Sequence, residues 1–368
     1  HLCVLRKSLV DEVGGFRREY DGSQDYDLFL RVVEATDKIH HIEKILYHWR
    51  QTPTSTAGYL GNKNYAYVAG KKALEDALVR RGIKGQVIDN PRVSTYLVKY
   101  ESGNPLISII IPIKDQANVT RRCLESIYNK NSYSNFEIIL IDNNSCEDET
   151  FKLLDEYKKK YSNFKVKRLE CPFNYSYINN EAVKLASGEY LLFLNNDTEI
   201  IQEDTLENMA GYARQEHVGC VGVKLLYPDK LVQHAGVVLG FGGVAGHIYV
   251  ANSYHDNGLF GRLVMPYNYT AVTAACLMIK KEKFESVDGF DEKLCVALND
   301  VDLNLKILDK GYYNVCLSNV EVLHYESKSR GYEASREKHE RFLSEQKYMK
   351  EKWGKKLDKD KYFNKNNF

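Results

Sequence analysis

Between residues 106 and 194 the chain alternates short apolar runs with longer segments in which apolar residues recur every three or four positions. The short runs predict buried strands, and the longer periodic segments predict helices with one apolar face. The predicted strands cover 106–111, 136–141, 166–169 and 190–194, and the predicted helices cover 118–130, 147–161 and 176–187. This alternation predicts an α/β fold, with a mostly parallel central sheet and right-handed crossovers through flanking helices.

The last strand of this series leads directly into polar residues. Gly188 precedes the apolar residues 190–194, and Asn195, Asn196 and Asp197 follow them. In an open α/β sheet, ligands bind outside the carboxyl ends of the strands. A carboxylate there can hold a hard divalent cation such as Mg²⁺ or Mn²⁺. The alternative is that Asn and Asp only form a polar turn.

The pattern changes on both sides of this region. Upstream we predict helices over 7–16, 25–31 and 62–81, a strand over 42–49 and a linker over 101–105. Downstream we predict a helix over 204–215, strands over 218–226, 270–280 and 320–323, a glycine-rich segment over 233–249, a charged helix over 334–357 and frayed residues after it. The predicted regions are therefore 1–100, 101–333 and 334–368.

Two segments of the chain repeat each other. Residues 10–16 (VDEVGGF) match 284–290 (FESVDGF), and an acidic helix start follows each segment, at Asp25 and Asp300. A histidine follows each aspartate 23 or 24 residues later, at His48 and His324. Four matched features predict two homologous domains. We expect the first to be only the C-terminal part of such a domain, without separate activity, and its nucleotide-binding half to lie upstream of residue 1.

Composition narrows the class of protein. The 368 residues are 43% hydrophobic and carry a formal net charge of +1, which supports a full core and argues against a nucleic-acid partner. None of the eight cysteines forms a Cys-x-x-Cys pair, and several lie in apolar runs, as buried free thiols do. We therefore expect a reducing, cytoplasmic compartment. No apolar run approaches the roughly 20 residues that a membrane helix needs.

A transfer from a nucleotide-activated donor needs a nucleotide pocket, a cation for the leaving diphosphate and a base for the incoming hydroxyl. The chain offers Asp197 as a metal-binding carboxylate, Asp300 as a base at a helix start and His324 as a second metal ligand. Candidate donor-binding residues lie at the ends of the first two strands and near the start of the helix before the central strand: Pro112, Ile113, Asp142, Asn179 and Asn180.

Each candidate has a purely structural alternative. Asp142 could cap a turn, and Asn179 and Asn180 could be ordinary polar helix residues. Asp300 and Asp302 could complement the dipole of the helix that they begin, and His324 could be a hydrogen-bonded core histidine. The order and spacing of the set weaken these alternatives together.

Several stretches carry a resemblance to a known family: 107–112 (ISIIIP), 138–145 (IILIDNNS), 173–180 (FNYSYINN), 188–199 (GEYLLFLNNDTE), 234–239 (HAGVVL), 273–278 (TAACLM), 287–291 (VDGFD), Asn299-Asp300 and His324. From about 105 to 330 the chain resembles the inverting family 2 glycosyltransferases, which have the GT-A fold. It looks most like the rhamnosyltransferase-like branch that builds bacterial surface polysaccharides.

The resemblance implies roles for individual residues. The family's Asp-x-Asp motif, which binds the metal and the donor diphosphate, corresponds to Asn195, Asn196 and Asp197, so only the last carboxylate remains. Asn299-Asp300 corresponds to the family's Glu-Asp motif, which makes Asp300 the base.

Further positions follow from the same resemblance. Asp142 lies near the nucleobase, and His324 completes the metal site. The basic residue often found before the central strand is replaced here by Tyr177 and Ile178. Gly243, Asn299 and Asp302 belong to the glycine-rich and acidic loops that shape the donor and acceptor pockets.

The implied reaction is a single displacement that inverts the anomeric carbon. Its donor is a nucleotide-diphosphate sugar, either dTDP-rhamnose or a UDP-sugar, and its acceptor is a glycan or a lipid-linked glycan. The implied cofactor is Mn²⁺ or Mg²⁺. The implied location is the cytoplasm, with peripheral association at the inner face of the cell membrane left open.

Two other hypotheses about the function compete with a glycosyltransferase. A nucleotidyltransferase usually has a glycine-rich and basic loop after its first strand, and residues 113–117 (IKDQA) lack one. A catalytically silent glycan-binding module would keep the fold and lose the chemistry. Residues 1–100 suit that description, whereas Asp197, Asp300 and His324 argue against it for the second region.

Overall fold

The computed structural model describes residues 2–42, 44, 46–48, 64–325 and 336–364. The chain divides into two compact units, His1–Glu101 and Ser102–Phe368. Among the described residues, no helix has both the length and the apolar character needed to cross a membrane.

The first unit combines helices with a β-hairpin. Its elements are α1 (Lys7–Glu12), α2 (Gln24–Ala35), α3 (Asn64–Arg80), β1 (Gly85–Asn90) and β2 (Thr95–Tyr100). Helices α2 and α3 contact each other, and Leu28, Val32, Ala73 and Ala77 are buried. The strand predicted over 42–49 lies partly outside the described residues. The described positions there form no strand.

The strands of the second unit follow the predicted alternation closely up to residue 194. They are β3 (Ile107–Ile113), β4 (Phe136–Asp142), β5 (Phe164–Arg168), β6 (Tyr190–Leu194), β7 (Thr198–Ile200), β8 (Val218–Leu226), β9 (Val232–His234), β10 (Val237–Leu239), β11 (Ala245–His247), β12 (Pro266–Tyr269), β13 (Cys276–Lys280) and β14 (Tyr313–His324). The helices are α4 (Ala117–Lys130), α5 (Asp148–Lys160), α6 (Tyr175–Val183), α7 (Thr205–Ala213), α8 (Lys281–Glu285), α9 (Asn299–Asp309) and α10 (Arg336–Trp353).

In the described part of the chain, ten of these strands form one sheet with the order β12-β14-β8-β13-β6-β3-β4-β5. Strand β7 pairs with β14, and β9 pairs with β8. The run β6-β3-β4-β5 is parallel, as the strand–helix alternation predicts. Strand β13 is antiparallel to both of its neighbours, whereas β8 and β14 are parallel to each other, so the sheet as a whole is mixed.

The strands are apolar because helices cover both faces of the sheet. Every residue of β4, β6 and β8 is buried, as expected for strands with a core on each side. One core contains Cys123, Leu124 and Ile127 of α4. The opposite core contains Ile178 and Ala182 of α6. The predicted flanking helices are therefore confirmed.

Two sequence predictions in the C-terminal half were wrong. Of the strand predicted over 270–280, only β13 (Cys276–Lys280) is present, and it pairs with β6 and β8. Residues 270–275, which follow β12, form a loop with one isolated bridge, between Ala271 and Val237. Residues after 357 are packed as far as the structure describes them: Oδ2 of Asp360 accepts a 2.8 Å hydrogen bond from Leu239 N, and Phe363 is buried.

The repeated sequence segments form the same local structure in each unit. At the end of α1, Gly15 N donates to Val10 O at 2.9 Å, and after α8, Gly289 N donates to Phe284 O at 3.1 Å. Both glycines have a left-handed backbone, with φ of 65° and 61°. This is the usual helix-terminating conformation, and it favours glycine because a Cβ is strained there.

A cation paired with a buried aspartate stabilises each of these turns. In the first unit, Arg31 bonds to Asp27 and donates to the carbonyl oxygens of Val13 and Gly15. In the second unit, Lys306 lies 3.8 Å from Asp302 and donates to the carbonyl oxygens of Val287 and Gly289. The same helix position, four residues after a buried aspartate, thus carries a cation that binds the same two carbonyl groups of the turn.

Candidate active site

The carboxyl ends of β3 and β6 open into a cavity of about 370 Å³, called here the strand cavity. The two strands are parallel neighbours, so the residues at their ends lie side by side. Pro112 and Ile113 line the cavity from β3, and Asn195, Asn196 and Asp197 line it from the turn after β6. The structure thus brings five predicted site residues together.

Asp197 and His324 form a buried pair at this edge of the sheet. Strand β14 runs antiparallel to β7, and His324 pairs with Thr198, the residue after Asp197. Nε2 of His324 lies 3.1 Å from Oδ1 of Asp197, and the two side chains are only 9% and 6% exposed. The sheet register therefore explains how residues 127 positions apart meet.

Gln233 orients the imidazole ring of His324. Its Oε1 lies 2.6 Å from Nδ1 of His324. An amide oxygen only accepts hydrogen bonds, so Nδ1 of His324 donates to Gln233, and Nε2 is the ring nitrogen that faces Oδ1 of Asp197 and, at 3.4 Å, Nδ2 of Asn195. Nε2 and Oδ1 lie close enough to share either a proton or a cation. Metal-binding histidines have this arrangement, with the other ring nitrogen held by an acceptor.

The pair fits a hard divalent cation. Adjacent ligands of an octahedral ion at about 2.1 Å lie roughly 3 Å apart, which matches the separation of the two atoms. No group of three or more His, Cys, Asp or Glu side chains suited to a metal occurs in the part of the chain that the structure describes. The remaining ligands would come from substrate phosphates and water, as is usual for Mg²⁺.

Asp300 lies in a second cavity of about 420 Å³, called here the helix cavity, in the first turn of α9. Its Oδ2 accepts a 3.1 Å hydrogen bond from Ala274 N, and its Oδ1 accepts one of 2.8 Å from Val301 N. These bonds fix the orientation of the carboxylate. Asn299 and His324 line the same cavity, so the base candidate and one metal-ligand candidate face a common space.

The two cavities adjoin each other. Tyr175, Asn195 and Val296 line both of them. A molecule in the strand cavity and another in the helix cavity would therefore meet at this shared wall, between Asp300 on one side and the Asp197–His324 pair on the other. This geometry suits the transfer of a group from one molecule to the other.

Asp142 lines neither cavity. It is buried at the end of β4, where Oδ1 accepts a 2.9 Å hydrogen bond from Ser145 N and Oδ2 accepts one of 2.9 Å from Arg168. Oδ1 thus has the turn-forming role named as the alternative, and Oδ2 forms an ion pair with the end of β5. The next residue, Asn143, lines the strand cavity instead.

Asn179 and Asn180 also have internal roles and do not line the cavities. Nδ2 of Asn179 donates to Tyr175 O at 2.8 Å within α6. Asn180 bonds to both backbone groups of Phe290, at 2.9 and 3.0 Å, and to the side chain of Glu292. Asn180 therefore holds the loop that leads towards α9.

Asp302 and Gly243 lie outside both cavities as well. Asp302 is fully buried, and its Oδ1 accepts hydrogen bonds from Trp353 Nε1 at 2.8 Å and lies 2.7 Å from Lys352 Nζ. Gly243 lies in the β10–β11 turn, where a Cβ would lie 3.1 Å from the side chain of Gln346. Both positions lie against α10.

Sequence reasoning missed several polar residues that line the cavities, among them Gln233, His247, Lys338 and Arg341. The first two are polar positions in an apolar, glycine-rich segment, and that contrast was a usable signal. The last two lie in a charged helix, where the sequence does not distinguish them from the other basic residues.

A second histidine pair lies behind the helix cavity. Nδ1 of His234 lies 3.0 Å from Nδ1 of His247, so one ring donates to the other. His234 is fully buried, and its burial, together with the nearby imidazoles of His247 and His324, lowers its pKa well below the usual range. The ring is therefore neutral near pH 7.

Comparison with known proteins agrees with the geometry of the candidate site. Residues 108–287 match the family Glycosyl transferase family 2. The chain is 46% identical over 358 residues to "Uncharacterized protein y4gI" of Sinorhizobium fredii, which covers 96% of this chain and 39% of that protein. It is 40% identical over 334 residues to "O-antigen biosynthesis protein RfbC" of Myxococcus xanthus, which covers 90% of this chain and 26% of that protein. The chain thus spans well under half the length of either relative.

Two solved structures share the fold. One is a mannosyltransferase from Pyrobaculum calidifontis in complex with GDP-Man and Mn²⁺, with a TM-score of 0.51 and 18% identity over 78% of this chain and 73% of that one. The other is GalNAc-T7 with UDP, GalNAc and Mn²⁺, with a TM-score of 0.53 and 18% identity over 65% of this chain and 47% of that one. The predicted GT-A-like α/β fold is thereby confirmed.

Proposed function

Because residues 108–287 match the family Glycosyl transferase family 2, we propose that this chain transfers a sugar, with inversion, from a nucleotide-diphosphate sugar to a hydroxyl group of a growing glycan. The observation that carries the proposal is the position of Asp300 and the Asp197–His324 pair at two adjoining cavities. The similarity to a protein named for O-antigen biosynthesis supports a bacterial surface polysaccharide as the product.

The donor occupies the strand cavity in this proposal. Pro112, Ile113 and the Asn195–Asn196 pair line its walls, and Asp197 with His324 would hold Mn²⁺ or Mg²⁺ beside the diphosphate. When bound, the cation supplies charge neutralisation for the leaving diphosphate. A dTDP-rhamnose or UDP-sugar donor remains the expectation, and the complexes of the two structural neighbours contain GDP-Man or UDP with Mn²⁺.

The acceptor, a glycan or a lipid-linked glycan, occupies the helix cavity. The carboxylate of Asp300 takes the proton from the acceptor hydroxyl, and the oxygen attacks the anomeric carbon at the shared wall. The bond from that carbon to the diphosphate breaks, and the electron pair leaves with the diphosphate. One displacement from the face opposite the leaving group inverts the configuration. We place the reaction in the cytoplasm, with peripheral membrane association where the acceptor is lipid-linked.

The runner-up is a silent glycan-binding module. It would need no fixed carboxylate at Asp300, whereas two backbone N–H groups orient that side chain towards the cavity. A nucleotidyltransferase remains disfavoured because residues 113–117 provide no glycine-rich basic loop.

We also propose that the first unit is the C-terminal part of a homologous domain. The repeated turn and its buried ion pair support this origin. Phe290 in the second unit is 2% exposed and lies against Phe193 of β6, with ring centroids 4.8 Å apart. Its counterpart Phe16 is 67% exposed, as expected where the matching strand is absent from the described residues of that unit. The division into 1–100, 101–333 and a C-terminal tail stays a prediction in this form.

The test is a donor panel with matched variants. UDP-, dTDP- and GDP-sugars are assayed for binding and for transfer with Mn²⁺, Mg²⁺ or EDTA. We expect one donor class to bind in a metal-dependent way, Asp197→Ala to weaken that binding, and Asp300→Asn to lose transfer by about 10²–10⁴-fold while it keeps donor binding.

The control is Asp25→Asn, the same change at the matching helix start of the first unit, which should leave transfer unchanged. Glycan affinity without turnover in the unmodified chain would favour the silent module. Equal losses in the two variants would refute the assignment of the base.

A further inference from the structure

Helix α10 brings two cations to the wall of the strand cavity. Lys338 and Arg341 line the cavity together with Asp197, the metal-ligand candidate. The two residues are three positions apart, so they lie on the same side of the helix. Lys338, Arg341 and Asp197 thus share the wall of one cavity of about 370 Å³, and His324 contacts Asp197 from the adjoining cavity.

The helix is firmly anchored next to this cavity. Glu345, which lies on the same helical face one turn further on, is buried and accepts hydrogen bonds from Val296 N at 2.9 Å and Ala297 N at 3.1 Å. Nε of Arg341 lies 3.8 Å from Oε2 of Glu345. Because Val296 lines both cavities, α10 is fixed to the backbone of their shared wall.

A second set of contacts anchors the far end of α10. Tyr348 donates a 2.8 Å hydrogen bond to Asp291, and Lys352 lies 2.7 Å from the same carboxylate. Met349 is fully buried. The part of α10 that follows Arg341 is therefore held in place before any ligand binds, which lowers the cost of ordering the two side chains on binding.

We propose that Lys338 and Arg341 bind the diphosphate of the nucleotide donor. The inference rests on the proposed function and adds ligand-binding residues to it. A guanidinium group presents paired donors that match phosphate oxygens, and an ammonium group adds a compact charge. Together with a cation at Asp197 and His324, they would surround the leaving group with positive charge. The contacts from Arg341 to Glu345 and from Glu345 to Val296 also connect this part of the cavity wall to the loop that leads to Asp300.

The experiment is calorimetric titration with UDP, dTDP and GDP and with the corresponding monophosphates, in the presence of Mn²⁺. The proteins are the full chain and its variants Lys338→Ala, Arg341→Ala, Arg341→Lys and Lys347→Ala. Lys347 is the matched control, because it lies on the same helix, is exposed and does not line the strand cavity.

For the best diphosphate, we expect each alanine variant at 338 and 341 to bind about 10–100-fold more weakly, the loss typical of a charge-assisted hydrogen bond. Monophosphate affinity should fall by a smaller factor, Arg341→Lys should recover part of the loss, and Lys347→Ala should bind as the unmodified chain does. Lys338→Ala leaves the Arg341–Glu345 contact intact, so it tests the proposal even where Arg341→Ala impairs folding.

The outcomes separate this inference from the proposed function. Diphosphate binding unchanged in both alanine variants, in a chain that still binds and transfers its donor, would overturn the inference alone. Equal losses for diphosphates and monophosphates would overturn it too, since the β-phosphate would then not be recognised. An unmodified chain that binds no diphosphate with or without Mn²⁺ would overturn both.

Discussion

Replacing Asp302 with Asn should destabilise the second unit and leave the active site intact. The resemblance to family 2 glycosyltransferases placed this residue in a substrate pocket, but the structure buries it completely between α9 and the C-terminal segment. Its Oδ1 accepts a 2.8 Å hydrogen bond from Trp353 and lies 2.7 Å from Nζ of Lys352, and Nζ of Lys306 lies 3.8 Å from its Oδ2.

The size of the effect follows from burial. Removing one partner of a buried ion pair costs about 3–5 kcal/mol, because the other charge loses its counterion. The side chains of Lys352 and Lys306 are 27% and 18% exposed, so water partly compensates them, and the Asn amide keeps one acceptor for Trp353. We therefore expect the lower end of the range, about 3 kcal/mol.

Asp309 provides the control on the same helix. It lies 2.5 Å from Lys356, but its side chain is 48% exposed. An exposed pair contributes about 0–1 kcal/mol, so Asp309→Asn should have a small effect despite the similar distance.

Urea unfolding followed by tryptophan fluorescence measures both variants, and Trp353 is itself a partner of Asp302. Asp302→Asn should lower the free energy of unfolding and leave the KM for the acceptor unchanged. A loss no greater than that of Asp309→Asn, or a raised KM at unchanged stability, would refute the structural role and restore the pocket role.

Three further predictions concern the partner of His324, the buried His234 and the repeated turn. Gln233→Ala removes the acceptor that orients His324, so Mn²⁺ should bind about 10–100-fold more weakly, as a Mn²⁺ titration of donor binding would show. The pKa of His234 is lowered by burial, so its imidazole stays neutral in the folded chain, whereas in the unfolded chain it takes up a proton below about pH 6.5. The free energy of unfolding should therefore fall with decreasing pH in that range, by up to about 1.4 kcal/mol per pH unit. A His234→Asn variant with the same pH profile would contradict this. Gly289→Ala places a Cβ 2.7 Å from a side-chain oxygen at φ +61°, whereas the Cβ of Gly15→Ala meets nothing within 4 Å at φ +65°. Gly15→Ala should therefore lower the free energy of unfolding by about 1–2 kcal/mol, from backbone strain alone, and Gly289→Ala should lower it by more. Thermal or urea unfolding measures both variants.

The fold of residues 106–194 could be predicted because burial leaves a direct trace in the sequence. Strands such as Tyr190–Leu194 are buried on both faces and are therefore apolar throughout. Helix α4 faces one core and carries the matching helical periodicity. Between residues 226 and 280 the strands are short, and where each begins depends on pairing partners that are distant in the chain. This is why residues 270–275 were predicted as part of a strand.

The site could be predicted only in part, for a related physical reason. Asp197 and Asp300 begin or end regular elements, where position within the element already indicates a functional edge. Asp142, Asn180 and Asp302 occupy similar positions, but their bonds go to Arg168, to the backbone of Phe290 and to Trp353. A local pattern does not reveal such tertiary partners, so it does not distinguish a buried structural carboxylate from a catalytic one.

The C-terminal helix shows the same limit most clearly. In sequence α10 has the composition of a solvated tail, because most of its residues are charged and only Glu345 and Met349 are buried. Those two anchor it: Glu345 binds the backbone at the shared wall of the cavities, and Met349 packs with Val301 and Leu305 of α9. A helix whose sequence suggests a peripheral position therefore supports the loop that precedes Asp300. Deleting α10 would therefore disturb the geometry of the site and remove Lys338 and Arg341 from the cavity wall, whereas deleting a solvated tail would do neither.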